Sequence, residues 1–89
     1  MQAIWKFQID DGVAEMPEGA HVLSVGVQDG KIMAWALVDT DAPKEGRLFR
    51  IYGTGMLLGP LSTARAYESR FLGTVFSGPF VWHVFEAER

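Results

Sequence analysis

The chain has 89 residues, a net charge of −3 at neutral pH and no cysteine, which excludes disulfide bonds and thiolate chemistry. No basic run is present, so we expect no binding to duplex nucleic acid. No stretch reaches the roughly 20 apolar residues of a membrane span, and the N-terminus lacks a signal-peptide core. We therefore expect residues 1–89 to form a single cytoplasmic β domain that does not contact a membrane.

The first third of the chain reads as two strands. Residues 2–9 alternate apolar and polar side chains, which predicts a strand whose core face carries Ala3, Trp5, Phe7 and Ile9. A turn follows at 10–12, and residues 13–16 form a short strand that Pro17 ends.

Residues 21–38 contain the strongest hairpin signal, an Asp29-Gly30 dipeptide between two β-prone runs. A two-residue turn pairs Gln28 with Lys31, and an unbroken register continues to Val22 opposite Leu37. Gly26 and Ser24 then leave room for large side chains opposite them. Both faces of the hairpin are largely apolar; one carries Leu23, Val25, Val27, Ile32, Ala34, Ala36 and Val38, and the other Val22, Ser24, Gly26, Met33, Trp35 and Leu37. Because a small sandwich buries one face of each sheet, the second face favours a homodimer or higher oligomer.

The second half of the chain predicts three more strands, at 47–52, 71–76 and 80–85, after a loop at 39–46. Arg47 starts its strand on the core face and is placed at the rim. Residues 61–70 fit either one short helix or a loop. Six to seven short strands predict an all-β fold, a small, mostly antiparallel β-sandwich or a partly open barrel.

Gly53-Thr54-Gly55 follows a strand and therefore invites comparison with phosphate-binding loops. It lacks the Lys and Ser/Thr of a P-loop, and no long helix follows it as a dinucleotide fingerprint requires. Two interpretations remain: a tight turn with an unusual φ, or a nest of backbone N–H groups for a polar or anionic ligand.

Three side chains complete the predicted binding set. Arg50 alternates with Leu48 and Tyr52, a combination typical of interfaces and anion sites, although an arginine that only covers a sheet gives the same pattern. His83 shares a strand face with Val81 and Phe85 and is either a packed histidine or a ligand contact. The set of ligand- or partner-binding residues is Arg50, Tyr52, Gly53, Thr54, Gly55 and His83.

We expect no metal and no other cofactor. Cysteine is absent, and His21 and His83 have no second ligand close in sequence. Asp39 and Asp41 lie two apart, but a hard cation needs more oxygen ligands, so a capped turn is the simpler interpretation.

Several short pieces carry a resemblance that covers nearly the whole chain: LSVGVQ, WALVD, IYGTG, FLGTV and WHVF, in that order. In these pieces the chain resembles a family of small phage- and prophage-encoded proteins of unknown function. The resemblance implies a phage context and supplies no catalytic residue. It also implies a His and a Pro after the Gly-Thr-Gly segment, where Met56 and Leu57 stand, and a shorter stretch than 56–70.

We therefore expect a non-catalytic protein that acts in the bacterial host cytoplasm through contacts with a host or phage protein or with its own copies. A first alternative is a counter-defence sponge that holds a small anionic, nucleotide-type ligand through Arg50, Tyr52 and the backbone of 53–55. A second is a minor phage structural or assembly protein. No motif indicates an enzyme.

Overall fold

The computed structural model describes residues 1–57 and 70–87, which form seven antiparallel strands in two sheets. The strands are β1 (Gln2–Gln8), β2 (Val13–Pro17), β3 (His21–Gln28), β4 (Lys31–Asp39), β5 (Lys44–Gly53), β6 (Arg70–Ser77) and β7 (Phe80–Glu86). The strand orders are β1-β4-β3 and β2-β5-β7-β6. The predicted all-β sandwich is confirmed, and the sheets of the described residues do not close into a barrel.

The predicted helix at 61–70 lies outside the described residues except for Arg70, which begins β6. The insertion implied within 56–70 falls largely outside them as well. In the part of the chain that the structure describes, no helix is long and apolar enough to cross a membrane.

The core lies between the two sheets and follows the period-two alternation of their strands. Ile9, Met16, Val38 and Val84 are fully buried there. Full burial of each such side chain stabilises the fold by about 1.5–3 kcal/mol relative to exposure. The core therefore rests on apolar residues supplied by both sheets.

The hairpin between β3 and β4 has the predicted turn. Asp29 and Gly30 both adopt positive φ, 53° and 74°, as a type I′ turn requires. The predicted room for a large side chain is also present, because a Cβ on Gly26 would lie 3.3 Å from Cζ3 of Trp35.

The predicted register of this hairpin is wrong beyond Ser24. Leu23 is an extra residue in a bulge, so Val22 pairs with Ala36 and His21 with Leu37. A one-residue slip reverses the faces of a strand, and Val22 therefore enters the core while Leu23 is exposed.

The second apolar face of the hairpin is consequently smaller than predicted. Val22 has left it, and Met33 is buried. Lys6 donates a 2.6 Å hydrogen bond to Gln28, which joins β1 to β3 across the outer side of β4. Trp35 and Leu37 remain half-buried, so this face gives weaker support to self-association than the sequence suggests.

β5 begins at Lys44, so the predicted loop at 39–46 is strand over its last three residues. Those residues pair with β2, from Pro17 opposite Lys44 to Glu15 opposite Gly46. Pairing with a distant strand overrides a composition typical of loops.

The predicted rim position of Arg47 is wrong, because its side chain is only 10% exposed. Its guanidinium donates to both carboxylate oxygens of Glu86, with Nη2 2.9 Å from Oε1, and Nη1 donates to the Ala20 carbonyl at 2.9 Å. Hydrogen bonding to Glu86 raises the pKa of Arg47 above its ordinary value. A bidentate, nearly buried ion pair thus ties β5 to β7.

The sheets approach each other closely where β3 lies beside β6, the edge strands of the two sheets. β6 carries its own bulge, between Phe71 and Gly73. A Cβ on Gly73 would lie 2.9 Å from Cγ2 of Val25, so a larger residue here would force Val25 or one of the two strands to shift.

Candidate functional site

The predicted binding residues lie on the surface of the four-stranded sheet that faces away from the core, called the outer face below. The register places Tyr52, His83 and Thr74 side by side across β5, β7 and β6. The adjacent row on this face comprises Arg50, Phe85 and Phe71. The outer face therefore combines an arginine, a histidine and aromatic rings.

Three of these rings form an aromatic cluster. Tyr52 meets Phe85 edge-on with ring centroids 5.7 Å apart, and Phe71 is tilted against Phe85 at 5.2 Å. Aromatic pairs of this geometry contribute about 0.5–1.5 kcal/mol each beyond burial. Phe71 is nevertheless 54% exposed and Phe76, further along β6, is 70% exposed, so the outer face presents apolar surface to solvent.

His83 is held by two threonine hydroxyls. Its Nε2 lies 2.7 Å from Oγ1 of Thr54, and its Nδ1 lies 3.1 Å from Oγ1 of Thr74. Each hydroxyl can donate or accept, so either tautomer of the imidazole is accommodated. A nucleophile–base pair would need a third group to orient the histidine, and here Thr74 takes that position in place of a carboxylate.

The Gly53-Thr54-Gly55 segment forms a tight turn. Met56 N–H donates to the Gly53 carbonyl at 3.1 Å, and Gly55 has φ +82°, as the third residue of a type II turn requires. Thr54 N–H donates to the Val81 carbonyl at 3.0 Å. Because two of the N–H groups already donate within the protein, the backbone of this turn offers little of the nest that an anion would need.

Gly53 has a packing role. A Cβ on it would lie 3.2 Å from Cζ3 of Trp82, the residue opposite it on β7. In the other sheet, the absence of a side chain at Gly26 likewise makes room for the ring of Trp35.

Five of the six predicted residues line one open pocket of about 300 Å³; its lining comprises Tyr52, Gly53, Thr54, Gly55, Met56, His83 and Phe85. Arg50, the sixth, lies opposite Phe85 at its edge. Within residues 1–57 and 70–87, the buried Nε of Arg50 has no hydrogen-bond partner. The structure therefore brings five of the predicted residues together at one pocket and places Arg50 on the neighbouring row of the same face.

The predicted set omits several contributors to this face, namely Met56, Phe71, Thr74, Phe76 and Phe85. Phe85 was detectable, since it alternates with His83 along one strand. Phe71 was not, because the bulge at Leu72 breaks the alternation that relates it to Thr74.

Asp39 and Asp41 form the expected capped turn. Asp39 Oδ1 accepts the Asp41 N–H at 3.0 Å, and both carboxylates contact the N-terminal ammonium at 3.3 Å. The Asp41 N–H, and after it the ammonium, lower the pKa of Asp39 below its ordinary value of 3.8.

We therefore expect NMR titration to give Asp39 a pKa below that of a free aspartate. A lowered folded-state pKa means that the carboxylate stabilises the fold above the unfolded value of 3.8 and that this contribution disappears as the pH falls through the folded value. Asp39→Asn should remove this part of the acid dependence. Titration of Asp39 at or above 3.8 would contradict the assignment.

In the described part of the chain, no group of three or more His, Asp or Glu side chains could hold a metal ion.

A family model with the description "Domain of unknown function (DUF7352)" matches residues 1–89. No curated protein and no solved structure matches the chain.

Proposed function

The chain belongs to this family of unknown function, and we propose that it is a non-catalytic binding module whose outer face contacts a protein. The observation that carries the proposal is the combination of exposed aromatic rings with an arginine lacking a hydrogen-bond partner at Nε in the described residues. Aromatic residues and arginine are the types most enriched in protein interfaces.

The aromatic cluster has the construction of an interface anchor. Phe85 holds Tyr52 and Phe71 by ring contacts, so these side chains lose little conformational freedom when a partner arrives. Phe71 and Phe76 still expose more than half of their surface, which a partner would remove from water.

Arg50 adds a reason for specificity. Its Nε is shielded from water without a hydrogen bond within the described residues, which is unfavourable in the isolated chain. A partner that draws the Arg50 side chain outward and offers a carboxylate or carbonyl oxygen to Nε would relieve this cost. A second copy of the chain is the first partner to test, since two-fold pairing is the commonest way to cover such a face.

The experiment compares wild type with two variants that place threonine, a β-branched residue with a high strand propensity, at exposed strand positions. Phe71→Thr with Phe76→Thr alters the outer face, and Ile4→Thr is the matched control, since Ile4 is 60% exposed on the other sheet. We expect wild type and Ile4→Thr to sediment above the 9.9 kDa monomer at micromolar concentration, and the double variant to sediment as a monomer.

If wild type is a monomer, the same three proteins are used as baits in the bacterial cells that harbour the gene. The proposal then requires a protein that wild type and Ile4→Thr retain and the double variant loses. A monomer that shows no such difference would contradict it.

A small anionic ligand is the second candidate, favoured by the pocket beside Tyr52 and His83 and by the Nε of Arg50, which has no hydrogen-bond partner among residues 1–57 and 70–87. Adenosine monophosphate is a suitable nucleotide probe. If the chain binds adenosine monophosphate and Arg50→Met weakens that binding at least about tenfold, as the loss of one charge-assisted contact would, the result favours a ligand-binding role over the protein interface. Binding unaffected by this variant would exclude the site.

The proposal places the module in the host cytoplasm of a phage-infected bacterium, supported by the resemblance of LSVGVQ, IYGTG and WHVF to phage-encoded proteins. Genes for family members that lie consistently outside phage and prophage regions would contradict this placement. Consistent positions among virion genes would favour the structural or assembly alternative.

A further inference from the structure

A second pocket, of about 410 Å³, opens between the two sheets at the end of the sandwich that contains the hairpin tip. Ile32 of β4 and Ile51 of β5 contribute to its apolar lining, and Gly30 lies at the hairpin tip. Asp10, Ser77, Phe80 and Trp82 complete the lining. The volume falls within the range of small-molecule sites, about 300–1,000 Å³.

Two aromatic rings and one carboxylate define the chemistry of this pocket. Phe80 and Trp82 are stacked, with ring centroids 5.8 Å apart and planes inclined by 27°. Asp10 Oδ1 accepts a 2.8 Å hydrogen bond from Gln8 Nε2, which orients the carboxylate. In the described residues, no basic side chain lines the pocket.

We propose that this pocket binds a small organic cation with apolar substituents, such as a quaternary ammonium group. The ring faces that are not covered by the Phe80–Trp82 stack would attract a cation through their quadrupole, and the carboxylate of Asp10 would supply the opposite charge. Ile32 and Ile51 provide apolar surface for the alkyl groups of such a cation. An inorganic cation has no alkyl groups and would leave this apolar surface without contacts. This pocket is separate from the outer face, so a test of cation binding does not depend on whether the proposed protein interface exists.

Choline and its uncharged isostere 3,3-dimethylbutan-1-ol are the probes, titrated into the labelled full chain and followed by NMR at the indole N–H of Trp82. We expect choline to shift this signal saturably and to bind at least about fivefold more tightly than the alcohol, the smallest ratio that a cation–π contact with a carboxylate predicts.

Variants assign the interaction to the pocket. Asp10→Asn retains the acceptor for Gln8, and Phe80→Ala alters a side chain that is 58% exposed, so both leave the core intact. We expect each to weaken choline binding at least about threefold. The controls Asp11→Asn and Ile4→Ala, the second at a side chain that is 60% exposed on the other sheet, should bind as wild type does.

Two results would overturn the proposal. Equal binding of choline and the alcohol would show an apolar pocket without charge selection. No saturable shift by choline up to tens of millimolar, in a chain whose spectrum is folded, would show that the pocket is not a cation site.

Discussion

Glu86→Ala is expected to lower the free energy of unfolding by about 3 kcal/mol, the lower end of the range for removing one member of a buried ion pair. The substitution leaves the guanidinium of Arg47 nearly buried, with the Ala20 carbonyl as its remaining hydrogen-bond acceptor among the described residues. Urea denaturation followed by tryptophan fluorescence measures the change.

Two controls separate the ion pair from a general effect of losing a carboxylate. Glu15→Ala, on exposed surface of β2, should change stability by no more than about 0.5 kcal/mol. The double variant Arg47→Met with Glu86→Leu should recover most of the loss, because apolar residues of similar volume often replace a buried pair without cost. If Glu86→Ala costs no more than Glu15→Ala, the pair is not a significant source of stability.

Gly73→Ala is expected to destabilise the fold by about 2 kcal/mol, as overpacking a close contact does. The new methyl would lie 2.9 Å from Cγ2 of Val25, and a valine side chain is stiff because its branch point is at Cβ. Either β6 or β3 must then move. Movement is costly because the contact between these two strands holds the edges of the two sheets together.

Gly46→Ala is the control for adding a methyl group to a strand glycine without a close contact; Gly73 differs also in its φ of +159°, which adds to the cost of alanine there. Gly46 also lies within a strand, and a Cβ there meets nothing within 4 Å. It should be neutral or slightly stabilising, since alanine restricts the unfolded chain. Val25→Ala in the Gly73→Ala background should restore part of the stability by removing the clash, and additive losses would contradict the steric explanation.

Local chemistry determined which features of the fold were predictable. The Asp29-Gly30 turn was recognisable because few dipeptides tolerate two positive φ values in succession. The bulge at Leu23 has no such signal, because either register pairs apolar residues with apolar residues. The start of β5 at Lys44 depends likewise on β2, a partner far away in sequence.

The same distinction applies to the candidate site. Alternation grouped Arg50 with Tyr52 along β5 and His83 with Phe85 along β7, since it needs only the period of a strand. The pairing of β5 with β7, which brings Tyr52 opposite His83, has no such local signal. The position of the Thr74 hydroxyl beside His83 depends on the pairing of β6 with β7. The burial of Arg47 depends on its ion pair with Glu86, a residue that is distant in sequence. Neither partner is indicated by the residues that surround these positions in sequence.

The central position of β5 has a consequence for how fast the chain folds. β3 and β4 are neighbours in sequence and can pair within one hairpin, whereas β5 pairs Leu48 with Val13 on one side and Phe49 with Glu86 on the other. Both pairings close long loops, whose entropy must be lost before the contacts form. We therefore expect the docking of β5 between β2 and β7 to be one of the slow steps of folding, and we expect Glu86→Ala to act mainly by accelerating unfolding, measured by stopped-flow fluorescence.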